Sequence, residues 1–181
     1  MLTAAPAGGL EIRADSDGTV RISGRFPYAT EAQLAPGRFE RFEPGAFEFR
    51  DDVFLLSQHT WDRPLASTAA GSLELRSEPD ALAFTATLPA EVAATSHASD
   101  AISLVRSGLA SGLSPGFKVS PNGERVERRG DGLLRSISRA QLAELSIVTR
   151  AAYPASVEAR HWEPKQIEGA HKKFSAPWRW R

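Results

Sequence analysis

The 181-residue chain has no cysteine. That absence excludes disulfides, thiolate catalysis and cysteine-based zinc sites, and it fits a reducing compartment. There is no charge excess either. The 22 basic and 22 acidic residues cancel, so no global electrostatic case exists for nucleic acid or a membrane surface. No apolar run approaches the ~20 residues that a membrane helix needs. The first twenty residues lack the basic start and apolar core of a signal peptide. The expectation is a soluble, cytoplasmic protein. What is present is ordinary for a globular domain: 41% hydrophobic and 24% charged residues, in a chain long enough to bury a core.

The N-terminal half reads as short strands. "TVRISGRFPY" (19–28) alternates around Val20, Ile22 and Phe26. "VFLLSQH" (53–59) is a near-continuous apolar run, as in a strand covered on both faces. "SLELRSE" (72–78) and "ALAFTATLP" (81–89) flank a Pro-Asp turn and predict a hairpin. Residues 91–109 change period: Ala98, Ala101, Ile102, Val105 and Leu109 fall at helical spacing. Ser96 or Ser99 is the expected cap, Asp100 suits the first turn, Arg106 the last, and Gly108 and Gly112 the stop. Strands resume through "FKVSP", "ERVERR" and the long run "LLRSISRAQLAELSIVT" (133–149), whose length predicts a bend or a bulge. The fold class expected is mainly β with flanking helices (α+β).

Four positions offer chemistry. Ser114, in "LASGLSPGFKV" (109–119), precedes a proline, which pushes it to an extended conformation, and has glycines at 112 and 116. Either the segment is a plain helix-to-strand connection, or the glycines clear space around a nucleophile. His59 ends the apolar run and is either a structural histidine or a general base facing a cleft. A metal site there would have only Asp62 as a nearby second ligand. Glu144 lies among Leu142, Leu145, Ile147 and Val148, so a partner must satisfy it: an arginine, or an imidazole that it orients. Arg150 is either a surface cation or a group that stabilises an oxyanion.

Four segments together carry a family resemblance: "GRFERFEPGAFEF" (37–49), "LLSQHTWDRPLAS" (55–67), "LVRSGLASGLSPGFKV" (104–119) and "LAELSIVTRAAYPAS" (142–156). In order and spacing the chain resembles the prohead (procapsid) maturation serine proteases of tailed phages, which also occur in prophages and gene transfer agents. The resemblance spans about residues 20–158. It implies a fold similar to the herpesvirus assembly protease, an antiparallel β-barrel surrounded by helices. It implies Ser114 as nucleophile, His59 as general base and Glu144 as third member, with Arg150 following it; the Gly116 amide and Arg150 are the candidate oxyanion or substrate-binding groups. No cofactor or metal is implied. The implied substrates are the scaffold segment of the major capsid protein and the protease itself, cleaved inside the assembling procapsid. A homodimer is suggested by the herpesvirus analogy. One departure stands out: Pro115 follows the serine and has no backbone N–H to offer an oxyanion.

The organisation expected is a protease domain over residues 1–158 and a tail over 159–181. From residue 160 the tail carries six basic residues against Glu163 and Glu168, with Trp162, Trp178 and Trp180. It is read as a docking or self-processed segment, or as a disordered end, and it is the one part of the chain suited to nucleic acid. Two non-enzymatic readings stay open beside the protease. One is an inactive scaffold or capsid-shell module, the other a small-ligand-binding barrel.

Overall fold

The computed structural model describes residues 10–49 and 51–149. In chain order its strands are β1 (Leu10–Ala14), β2 (Val20–Pro27), β3 (Ala32–Ala35), β4 (Arg38–Phe42), β5 (Phe47–Glu48), β6 (Phe54–Ser57), β7 (Thr60–Ser67), β8 (Leu73–Ser77) and β9 (Ala81–Leu88). Two helices follow, α1 (Ala90–Ala93) and α2 (Ser96–Arg106). The described fold closes with β10 (Gly112–Val119), β11 (Glu124–Arg129), β12 (Gly132–Ile137) and β13 (Ala140–Val148). The expected tail and Arg150 lie outside the described residues.

The mainly β expectation holds, with 56% strand and 11% helix among the described residues. No closed barrel is found among the described residues. The strands form three sheets instead, in the orders β1-β2-β9-β8, β10-β13-β6-β7 and β11-β12-β4-β3, with β5 beside β13. Most pairs are antiparallel, but β12 runs parallel to β4, and β13 runs parallel to both β5 and β6. Those parallel pairs join segments far apart in sequence, which short hairpin connections cannot do.

Local sequence explains most elements. β2 and β9 alternate apolar and polar residues, so one face of each is buried, and they pair in register from Val20 opposite Leu88 to Pro27 opposite Ala81. The β8–β9 hairpin forms across the Pro-Asp turn as predicted. The long C-terminal run breaks at Ser138–Arg139, and its two parts join different sheets. The helix begins differently from expectation. Its N-cap is Thr95, with no side-chain cap bond, because the Thr95 hydroxyl donates to the Val92 carbonyl of α1 at 2.7 Å. Asp100 accordingly falls beyond the first turn, while Arg106 sits in the last. Gly108 takes φ +73°, the left-handed conformation that stops a helix at little cost to glycine.

An aromatic cluster joins all three sheets. Phe42 meets Phe26 at 5.5 Å, Phe47 at 4.7 Å and Phe117 at 4.9 Å between ring centroids. These four rings come from β4, β2, β5 and β10. Offset and edge-on pairs of this kind add about 0.5–1.5 kcal/mol each beyond area burial. Phe117 therefore ties β10 to the common core. The helix α2 adds Ala98, Ala101, Ile102 and Val105 to the same core.

Candidate active site

The site is built on β13. Its apolar residues Leu142, Leu145 and Ile147 all belong to the core, although three positions separate the first two. A strand that alternates strictly cannot do this. The register shows how it is done: Gly116 of β10 lies opposite Glu144, while Phe117 lies opposite Leu142, so Ala143 is an extra residue. This bulge was expected from the length of the run. It resets the alternation, so that Glu144 and Ser146 share the face away from the core.

Glu144 is buried, at 1% exposure, and its carboxylate is held by hydrogen bonds. The His59 Nδ1 lies 2.7 Å from Glu144 Oε1. The Ser146 hydroxyl donates to Glu144 Oε2, also at 2.7 Å. With Nδ1–H donating to the carboxylate, Nε2 is left as the acceptor nitrogen of a neutral imidazole. The acid inside an apolar strand is thus satisfied by an imidazole and a hydroxyl.

His59 does not sit in a strand. It occupies the tight turn between β6 and β7, where Gln58 and His59 have φ of +54° and +57°. Consecutive left-handed residues suit a two-residue hairpin, whose twist matches that of its strands. For residues with a Cβ the left-handed conformation costs roughly 1–2 kcal/mol each, so the surroundings must enforce it. They do so through β13. The Gln58 N–H donates to the Ile147 carbonyl at 3.0 Å, and the His59 N–H donates to Ser146 Oγ at 3.0 Å.

Ser114 lies on β10 directly opposite Ser146, so the two share a face, with Cα atoms about 5 Å apart. The fold thus brings residue 114 beside the strand that holds the turn of His59, closing a separation of 55 residues. Leu113 points into the core, while Gly112, Ser114 and Gly116 alternate on the other face. Ser114 is half-buried, whereas Ser146 is fully buried.

Gly116 has a more specific job than clearing a cleft. A Cβ there would fall inside the van der Waals shell of Glu144 Oε1 and within 2.7 Å of its Cδ. The carboxylate of Glu144 lies across the bare backbone of Gly116. Pro115, lacking an N–H, fits a strand edge only where that side of the chain faces away from the neighbour. In an antiparallel ladder the adjoining residues Ser114 and Gly116 then turn their backbone groups toward β13.

Sequence reasoning missed Ser146. The signal was available, because it lies two residues beyond Glu144 and strand periodicity puts both on one face. It also missed the aromatic pair beside the turn, where Trp61, 59% exposed, meets Phe54 edge-on at 5.7 Å. Among the described residues, no helix is long and apolar enough to cross a membrane.

An imidazole held by a buried carboxylate, near a serine on the next strand, is the equipment of a serine hydrolase. The whole chain points the same way. It matches the caudovirus prohead serine proteases over residues 9–168 of 181, and it belongs to that family. It is a serine protease of the kind that acts in capsid maturation, a role that brings it into contact with phage capsid proteins. Neither the curated proteins nor the solved structures contain a match to this chain.

Proposed function

We propose that this chain is the maturation endopeptidase of a phage-type procapsid, with Ser114 as nucleophile, His59 as general base and Glu144 as the acid that orients it. The observation that carries this reading is the 2.7 Å bond from His59 Nδ1 to the buried Glu144. It fixes the tautomer a general base needs. In the proposed reaction Ser114 Oγ attacks the scissile carbonyl while its proton passes to His59 Nε2. The tetrahedral intermediate collapses, the C–N bond breaks, and the leaving amine takes that proton. Water then bonds to the acyl carbon while losing a proton to His59, the bond from that carbon to Ser114 Oγ breaks, and His59 returns the proton to Oγ. The fully buried Ser146 is the poorer candidate, since its hydroxyl already donates to Glu144. Gly116 supports the site by giving the carboxylate its place.

The proposed substrates are the scaffold segment of the major capsid protein and the protease itself, inside the assembling particle. A homodimer and a docking role for the basic, Trp-rich tail belong to the same proposal. Co-expression with the capsid protein of the same particle tests it by intact mass. The wild type is expected to shorten the capsid protein at one position, and Ser114→Ala to leave it whole. Shortening by both would move the nucleophile elsewhere, with Ser111 next in line.

With Pro115 lacking an N–H and Gly116 turned toward β13, the developing oxyanion needs another donor. Arg150 is proposed for that role, directly or through a bound water. Arg150→Ala is expected to slow acylation by about 10²–10³-fold, the usual effect of losing one oxyanion donor. Unchanged burst kinetics in that variant would remove Arg150 from the mechanism.

A further inference from the structure

Three bonds around Ser146 form a closed loop. The His59 N–H donates to Ser146 Oγ at 3.0 Å, the Ser146 hydroxyl donates to Glu144 Oε2 at 2.7 Å, and Glu144 Oε1 meets His59 Nδ1 at 2.7 Å. The loop contains both ends of one residue. The backbone of His59 is fixed by Ser146, and its ring is fixed by Glu144.

We propose that Ser146 is a positioning residue of the protease: its buried hydroxyl ties the His59 backbone to the Glu144 carboxylate, so that turn, imidazole and acid are held in one geometry. The inference rests on the proposed roles of Ser114, His59 and Glu144. A serine hydroxyl has one proton and two lone pairs, and here the proton goes to the carboxylate while a lone pair takes the amide. No apolar residue can do either. Locating the carboxylate alone would not suffice, because the His59 turn has a left-handed backbone that must be enforced from outside. Ser146 supplies that restraint on the same strand as the acid. Being 0% exposed, it cannot touch substrate, so its influence on chemistry passes through the other two residues.

The test uses full-length protein and a fluorophosphonate probe. Ser114 Oγ forms a bond to phosphorus, fluoride leaves, and intact mass reports the adduct on Ser114. His59→Ala and Ser114→Ala serve as controls. If both still label at the wild-type rate, the reading of the site itself fails, whatever Ser146 does. If both are silent, Ser146 is tested independently. Ser146→Ala is expected to lower the maximal labelling rate about 10- to 100-fold, the usual scale for a residue that orients a site group, with little change in the half-saturating probe concentration. Ser146→Thr keeps the hydroxyl and Ser146→Val has the same size without it. Thr is expected to restore most of the rate and Val to restore none. The low-field imidazole N–H proton resonance, assigned by its loss in His59→Ala, is expected to persist in Thr and to move or vanish in Val and Ala. A full rate in Ser146→Ala would overturn the proposal. So would equal losses in Thr and Val with the resonance unmoved, which is the mark of a packing role alone.

Discussion

Glu144→Gln is expected to lower the rate of capsid-protein cleavage by about 10³–10⁴-fold while leaving the protein folded. In serine hydrolases, neutralising the orienting acid has an effect of this size, because an uncharged amide neither stabilises the imidazolium nor enforces the tautomer. The geometry here sharpens the expectation. Glu144 is buried, and its two oxygens have separate tasks, one toward His59 Nδ1 and one toward the Ser146 hydroxyl. A glutamine fills the same space but has only one acceptor oxygen. It can serve His59 or Ser146, not both. Stability should move the other way from activity, since a buried carboxylate is expensive to desolvate and an amide is less so. A melting temperature no lower than the wild type's, with activity lost, is the predicted pair of results. A variant that unfolds would place Glu144 in the scaffold, and one that still cleaves would remove it from the reaction.

Gly116→Ala should be nearly as damaging, by another route. The new methyl group would occupy the space of the Glu144 carboxylate, within 2.8 Å of its Cγ, so either the acid or the strand must move. Overpacking of this kind typically costs about 1–3 kcal/mol. The displaced carboxylate would also leave His59 without its partner, and activity should fall by at least 10²-fold on that account. Glu144→Ala separates the two effects. In that background the space is vacant, and Gly116→Ala should cost almost no stability. A double-mutant cycle on thermal unfolding checks this: a coupling energy near zero would mean that the methyl group strains something other than the carboxylate.

How far the sequence revealed this site depended on where each signal lies. Glu144 was legible because an acid in an apolar strand demands a partner. His59 was legible because it ends an apolar run, although its true setting, a turn with two left-handed residues, was hidden. Gln58-His59 has none of the Asn-Gly character that marks such turns, since bonds from β13 supply what the residues themselves do not favour. Gly116 was noticed for the space it leaves, but the side chain that lies across that space was hidden. Its neighbour is a side chain from a strand almost thirty residues further on, and no single segment encodes that register. The expected barrel failed for a related reason. Alternation identifies strands, but the parallel pairing of β13 with β5 and β6 depends on long-range packing that alternation does not report.

The position of β13 in the chain carries a last consequence. It is the final described strand, and it inserts between β10 and β6, both of which precede it. It brings the Glu144 carboxylate that bonds to His59 Nδ1, the Ser146 hydroxyl that accepts the His59 N–H, and the Ile147 carbonyl that holds the turn. Synthesis proceeds from the N-terminus, so Ser114 and His59 are made before the strand that holds the His59 turn and ring. The hydrogen bond between His59 and Glu144 spans 85 positions, and such a contact can form only when nearly the whole domain exists. With the roles proposed for these residues, the order of strands would act as a built-in delay. On the roles proposed above, a chain that stops before Ala140 would carry Ser114 and His59 without Glu144, and it is expected to gain activity only with the strand that completes the sheet.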